Sequence, residues 1–377
     1  MDEPFMRRAL ELAQRGEGYV EPNPLVGAVI VRDGQVVGEG AHECFGGPHA
    51  EILALRQAGE LARGATLYVT LEPCCHWGKT PPCTQAILHA GIRRVVAAIV
   101  DPFPEVSGKG LAELRQAGVV VEVGLLACEA RELNAPYLKR LTRGRPWIIA
   151  KWAMSWDGKI ATATGQSKWL SGEESRTLAR QWRGKVDAVL VGVGTVLQDD
   201  PHLGPPADSP RLPQRIILDT HLRIPVESQL VRTARQIPVL IFHGPAASES
   251  KRQALVSAGC ECVAVSLQQG RVSPAAVLDE LGRRLVTKVL VEGGGAVLGS
   301  FFDIGEVDEV RVFLAPLLVG GQQAPTPLAG RGIEHLAAAW RLRLCSSQRI
   351  GSDILVIGKP AKADSAFPSE SLATKPI

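Results

Sequence analysis

The chain has 377 residues, 42 Lys+Arg against 39 Asp+Glu, and 45% apolar side chains. That length exceeds the roughly 250–300 residues that one hydrophobic core usually serves, so two domains are expected. A net charge of +3 without a basic run, and only three Tyr and eight Phe, argue against a nucleic-acid surface, and no stretch approaches the ~20 apolar residues of a membrane helix.

Residues 5–15 set Phe5, Ala9, Leu10, Leu12 and Ala13 on one helical face. The N-terminus opens acidic and has no apolar secretory core, so a cytoplasmic chain with reduced thiols is expected. Two apolar runs around Asp33-Gly34 predict a β-hairpin. Residues 48–64 start at Pro48 and end on Gly64, the pattern of a helix. A strand is predicted at 65–71, a helix at 81–91 and a strand at 93–101; the run from Lys109 then reads as a helix followed by a strand to Gly124. This alternation describes an α/β layered domain with a mostly parallel sheet. A basic seam with Gly144 and Pro146 separates a first domain, 1–145, from a second, 146–360. There, strands are predicted at 147–155, 187–193, 214–219, 237–244, 288–293 and 309–316, with helices near 172–184, 249–258 and 275–285. The chain from Leu342 to Gly358 reads as an antiparallel hairpin, and 361–377 as a disordered tail.

Four of the eight cysteines (Cys44, Cys74, Cys75, Cys83) crowd into the first quarter of the chain, which in a reducing compartment points to a metal. His49 and Glu51 stand two residues apart at a predicted helix start, Cys74 ends a strand, and Cys83 begins the next helix. One imidazole and two thiolates give three ligands for tetrahedral zinc and leave a fourth position for water, as in catalytic sites. Glu51 would then move the proton from the water to the leaving amine. Zinc deaminases carry His-x-Glu followed by Pro-Cys-x-x-Cys. Here Trp77 stands three residues after Cys74, so the third ligand falls to Cys83, Cys75 or His76. A closed structural zinc site would use Cys74, Cys75, His76 and Cys83, but has no need of Glu51.

The stretches PNPLVGAVIV, GGPHAE, TLEPCCHWGKTPPC and DPFPEVSGKG resemble the deaminase half of the bifunctional riboflavin-biosynthesis enzymes. In that family diaminohydroxyphosphoribosylaminopyrimidine deaminase is joined to 5-amino-6-(5-phosphoribosylamino)uracil reductase. The stretches KWAMSWDGKIAT, SKWLSG, DAVLVGVGTVLQDDP and VEGGG resemble the reductase half, so the likeness covers nearly all of 1–359 in register. The resemblance implies a cytidine-deaminase-like three-layer domain followed by a dihydrofolate-reductase-like domain. It implies His49, Cys74 and Cys83 as ligands of one zinc, Glu51 as proton shuttle, and Asn23, His42, Lys79 and Thr80 around the substrate. It implies that Ala153, Trp169, Thr195, Asp199, Thr220 and the backbone from Gly294, Gly295 and Ala296 onward hold NADPH. Ser167, Arg183, Leu203 and Glu292 would face the second substrate, a pyrimidine ribosyl phosphate, in a homo-oligomer free of nucleic acid and membrane.

The residues themselves say less about the reductase. Glycines 293–295 end a strand and open a helix, where backbone N–H groups favour phosphate, but no GxGxxG fingerprint is present. Lys151, Asp199 and Glu292 are the ionisable groups on the matching stretches and are expected to form a polar cluster around the reduced carbon. Two positions depart from the family pattern. Pro206 replaces an arginine that helps hold phosphate, a loss that Arg211 or another cation would have to cover. Trp156 replaces a leucine, at a packing position beside the cofactor site. The competing readings are a deaminase with an impaired reductase domain and a deaminase acting on another nucleotide or on nucleic acid.

Overall fold

Asp33 and Gly34 both adopt positive φ, 53° and 77°, and turn strand β1 (Gly27–Arg32) back into β2 (Gln35–Ala41). That pair of left-handed residues is what a two-residue hairpin matching the strand twist requires. In a computed structural model describing residues 2–77 and 81–361, the hairpin is one edge of a five-stranded sheet of order β2-β1-β3-β4-β5. The other strands are β3 (Thr66–Val69), β4 (Arg94–Ala97) and β5 (Val120–Val123). Strands β3, β4 and β5 run parallel, while β1 is antiparallel to both neighbours. The sheet is thus mixed, not mostly parallel: a tight hairpin can only return antiparallel.

Alternation along the strands sends side chains to two cores. Ala28, Ile30, Leu67, Val69, Val95 and Ala97 pack with helices α2 (Ala50–Ala58), α3 (Cys83–His89) and α4 (Lys109–Gln116). Val29, Val31, Tyr68 and Val96 pack with α1 (Glu3–Ala13), α5 (Ala127–Leu133) and α6 (Ala135–Arg143). Helices on both faces give the three expected layers, and each fully buried Leu or Ile, such as Leu111 or Ile30, contributes roughly 1.5–3 kcal/mol. Helix α2 stops earlier than Gly64. Gly59 takes φ 52° and the chain continues as a short 3-10 turn to Ala62. Helices α5 and α6 fill a stretch to which the sequence pattern assigns no element.

The described residues form two compact units. One contains the chain up to Trp147 together with Leu178–Leu290, and the other Ile148–Thr177 with the chain from Val291. Besides the sheet above, the first unit carries β7 (Ala188–Gly192), β8 (Gln214–Leu218), β9 (Val239–His243), β10 (Glu261–Ala264) and β13 (Lys288–Val291), in the order β10-β9-β8-β7-β13. The pairs among β7, β8, β9 and β10 are parallel. Helices α8 (Val193–Asp199), α9 (Gln229–Arg232), α10 (Glu249–Ser257) and α11 (Pro274–Arg283) alternate with them, and a small ribbon pairs β11 (Leu267–Gln268) with β12 (Arg271–Val272). The second unit carries β6 (Trp147–Ser155), β14 (Glu309–Ala315), β16 (Asp353–Pro360) and β15 (Leu342–Ile350), neighbours in that order. Strands β6 and β14 are parallel, and the last two strands form the expected antiparallel hairpin. Helix α7 spans Glu173–Arg183 and α12 spans Gly295–Asp303. Among the described residues no helix is long and apolar enough to cross a membrane. Lys79, Thr80 and residues 362–377 of the expected tail lie outside the described residues.

Candidate active sites

Helix α2 lies directly on β2, because a Cβ at Gly40 would collide with the carbonyl of Ala50. The N-cap of the helix, His49, meets the segment that follows β3 at Cys74. Cys74 follows β3, and Cys83 opens α3. His49 Nδ1 stands 3.2 Å from Cys83 Sγ and 3.4 Å from Cys74 Sγ, and all three ligand atoms lie within 4.8 Å of one another. Ligand atoms at zinc–nitrogen and zinc–sulfur radii stand roughly 3.3–3.8 Å apart on a tetrahedron, so the donor set fits zinc in size and in chemistry. The backbone N–H of Cys83, at the start of α3, donates to Cys74 Sγ at 3.4 Å. A hydrogen bond from Cys83, with His49 alongside, draws the Cys74 thiol well below its ordinary range. That favours the thiolate a metal needs.

Cys75 and His76 turn away from this cluster. The Cys75 thiol donates to the Glu105 carbonyl at 3.8 Å, and His76 Nε2 faces the Glu105 carboxylate at 3.8 Å. The alternatives left by spacing alone are therefore separated by geometry.

Glu51 is the second residue of α2, 3% exposed, and burial pushes its carboxyl up to about 7. Asn23 Nδ2 and His42 Nε2 meet at 3.2 Å, and His42 Nδ1 sits 3.1 Å from the Pro48 carbonyl. Burial lowers the His42 pKa, so the ring is neutral near pH 7. Asn23, His42, His49, Glu51 and Cys74 share the wall of one cavity of about 410 Å³. The cavity also takes in His76, Asp101, Phe103, Tyr137, Arg140 and Leu285, none of which is among the expected substrate contacts. Asp101 and Phe103 lie in the quoted DPFPEVSGKG stretch and His76 in TLEPCCHWGKTPPC, the available signals; Tyr137, Arg140 and Leu285 carry no motif. Glu72 shapes this wall, since its carboxylate accepts the backbone N–H groups of Asp101, Gly108 and Leu111 at 3.2, 2.9 and 3.2 Å. The neighbouring Glu21 carboxylate, 6% exposed, takes Lys288 Nζ at 2.8 Å and anchors the Asn23 loop. Lys79 and Thr80 remain outside the described residues.

In the second unit, Lys151 on β6 meets Glu292, just after β13, at 3.4 Å, and its Nζ lies 5.7 Å from the Phe313 ring centroid. Gly294 caps α12 with extended backbone, and a Cβ there would meet nothing within 4 Å; the N–H groups of Gly295 and Ala296 head the helix, where an anionic group is favoured. Those donors suit a nucleotide phosphate. Ala153 is on β6, and Ser167 lies in the following loop. Trp169 is 69% exposed beneath the Arg176 guanidinium at 4.5 Å, a flat apolar surface for a ring. In the first unit, Thr195 and Asp199 lie on α8, Thr220 Oγ1 accepts the Val272 N–H at 3.1 Å, and Arg183 Nη1 donates to the Gly204 carbonyl at 3.3 Å. Leu203 is 4% exposed with φ 55°. Asp199 is the last residue of a helix, in the first unit, whereas Lys151 and Glu292 belong to the second.

Two residues bear on the departures from the family pattern. Arg211, offered as a cation to cover for Pro206, has its guanidinium paired with Asp187 at 2.5 Å and Glu21 at 3.6 Å. Trp156 is not a buried packing position; it is 64% exposed at the turn after β6 and lines an open pocket with Ser347, Arg349 and Ile354.

Comparison with known proteins agrees with both halves. Residues 1–99 match the cytidine and deoxycytidylate deaminase zinc-binding region, and residues 146–356 match the RibD C-terminal domain. The riboflavin biosynthesis protein RibD of Bacillus amyloliquefaciens is 43% identical over 361 residues, covering 96% of each chain. That of Aquifex aeolicus is 43% identical over 360 residues, 95% of this chain and 98% of its own. The solved structure of Acinetobacter baumannii RibD, form 1, is 36% identical with a TM-score of 0.85, covering 96% of this chain and 99% of that one. The diaminohydroxyphosphoribosylaminopyrimidine deaminase/5-amino-6-(5-phosphoribosylamino)uracil reductase of Thermotoga maritima gives 36% and 0.83 over 95% and 98%.

Proposed function

The chain belongs to the RibD family of riboflavin-biosynthesis enzymes, a zinc-binding deaminase joined to an NADPH-dependent reductase, and from that premise we propose which residues carry each reaction. The first reaction is hydrolytic deamination of 2,5-diamino-6-ribosylamino-4(3H)-pyrimidinone 5′-phosphate. The second reduces the ribosyl group of its product to ribityl.

The observation that carries the deaminase assignment is a buried carboxylate, Glu51, on the same cavity wall as His49 and Cys74 of the ligand cluster. His49, Cys74 and Cys83 hold the zinc, which when bound lowers the pKa of water from 15.7 to about 7. Glu51 accepts the proton of the attacking water and returns it to the leaving amine. Its buried position raises its affinity for that proton into the range where both transfers are easy near neutral pH. Asn23 and His42 orient the pyrimidine by hydrogen bonds, with Lys79 and Thr80 as further contacts.

For the reductase, Gly294, Gly295 and Ala296 receive a phosphate of NADPH at the start of α12, with Ala153, Trp169, Thr195, Asp199 and Thr220 as the remaining contacts. NADPH supplies the hydride that adds to the sugar C1′. Lys151, fixed by Glu292, supports negative charge developing on the substrate, and Ser167, Arg183 and Leu203 complete the site with Asp199 as the third ionisable group. We read the chain further as a cytoplasmic homo-oligomer. All eight cysteines are unpaired, and edge strand β15 exposes Leu342 and Leu344, surface that a second copy would cover.

The test is Glu51→Gln. It keeps the metal ligands and is expected to retain one zinc per chain while ammonia release falls roughly 10²–10⁴-fold. Loss of zinc along with activity would show that Glu51 is a ligand, and the assignment would fail.

A further inference from the structure

The substrate carries a phosphate on its ribose, and the cavity wall holds one side chain suited to it. Arg140 projects from α6, the amphipathic helix that buries Tyr137 against the sheet. Its Nη2 donates to the Pro22 carbonyl at 3.3 Å, which ties the guanidinium to the loop bearing Asn23. Its Cζ lies 5.9 Å from the Tyr137 ring centroid, and its Nε, shielded from solvent, has no acceptor among the described residues. A guanidinium presents five donors in a planar fork, and the Pro22 carbonyl takes one of the donors of this cavity-lining side chain.

The other charged groups of the wall are committed. The Glu72 carboxylate is filled by three backbone N–H groups, and Asp101 accepts the Tyr137 hydroxyl at 2.9 Å and the Phe103 N–H at 2.9 Å. Among the described residues lining the cavity, Arg140 is the only Lys or Arg. A dianionic phosphate entering a wall that also bears Glu51, Glu72 and Asp101 requires such a cation.

We propose that Arg140 binds the 5′-phosphate of the deaminase substrate and makes the first reaction selective for the phosphorylated ribosylaminopyrimidine. The assignment rests on reading this cavity as the deaminase site. Arg140 contacts the phosphate at the far end of the substrate from the amine that leaves, so it sets affinity and takes no part in proton transfer.

Steady-state ammonia release, measured on the 5′-phosphate substrate and on its dephosphorylated counterpart, tests this. Wild-type protein is expected to favour the phosphorylated form. In Arg140→Met the KM for that form rises roughly 10–100-fold, the KM for the dephosphorylated form stays put, and zinc content is unchanged. Arg140→Lys recovers part of the preference. Equal loss on both substrates would show that Arg140 only props the Pro22 loop, and an unchanged preference in Arg140→Met, with its loss in Lys79→Met, would place the phosphate elsewhere; either overturns the proposal. Should Arg140→Met fail to fold, ribose 5-phosphate must still inhibit the wild-type deaminase competitively, and ribose must not; inhibition by neither also overturns it. Failure of wild-type protein to release ammonia from either form is a different result, and would remove the deaminase reading beneath the proposal.

Discussion

Lys151 and Glu292 show how much a single ion pair can decide. Both side chains are mostly buried, 16% and 8% exposed, and stand 3.4 Å apart. Truncating Lys151 takes away a cation that faces the Glu292 carboxylate and, on the proposed reading of the site, the positive charge that supports the reducing step. Lys151→Met is therefore expected to slow NADPH oxidation on the deaminated intermediate by roughly 10²–10³-fold while ammonia release continues at the wild-type rate. Following absorbance of NADPH and ammonia separately checks this; an unchanged reduction rate would place the charge elsewhere. At this scale the sequence was legible where chemistry is local. His49, Glu51 and Cys74 stand out because His-x-Glu and Glu-Pro-Cys put ligand and proton carrier at adjacent positions of a helix start and a strand end. Cys83 stayed ambiguous with Cys75 and His76, since ligation depends on where a loop returns in space. Tyr137 and Arg140 reach the same cavity from α6, more than eighty residues beyond His49, and nothing in their immediate neighbours marks them.

Elements were legible in proportion to the strength of their end signals. The hairpin at Asp33-Gly34 and the final hairpin follow their turn residues closely. Helices α5 and α6 were not legible, because Pro136 in the middle of Leu133–Leu138 looks like a breaker. It occupies the first turn of α6, where a missing N–H costs nothing. The turn after β6 offers a test at this level. Asp157 accepts the Ser155 hydroxyl at 2.5 Å and the backbone N–H groups of Val319 and Gly320 at 3.0 and 2.6 Å. These hydrogen bonds, that from Ser155 foremost, hold its carboxyl down at about 2, against an ordinary value of 3.8. A depressed acid stabilises the fold above its unfolded pKa and loses that contribution as pH falls through its folded one. Wild-type protein is expected to unfold at higher denaturant than Asp157→Asn at pH 7, the gap shrinking between about pH 4 and pH 2. A gap that stays constant over that window would show that the carboxylate charge contributes nothing.

At the scale of the whole molecule, the chain carries two chemistries that draw on different groups: a metal cluster with a buried acid, and a nucleotide site with a lysine–glutamate pair. The sequence announced both through eight stretches in family order. It did not reveal that Lys288, well beyond the deaminase motifs, would anchor Glu21 beside Asn23, since a long-range ion pair leaves no periodicity behind. Nor did it reveal that Arg211 is engaged by Asp187 and Glu21.

The most direct measurement supplies the diaminopyrimidinone ribosyl phosphate to zinc-loaded protein, with and without NADPH, and follows ammonia and NADPH separately. Ammonia is expected in both conditions, with NADPH consumed in step after it, and a chelator should abolish ammonia release while leaving reduction of added deaminated intermediate intact. Ammonia without NADPH oxidation, even on the added intermediate, would contradict the account of a working reductase, and Pro206→Arg would be the first variant to make.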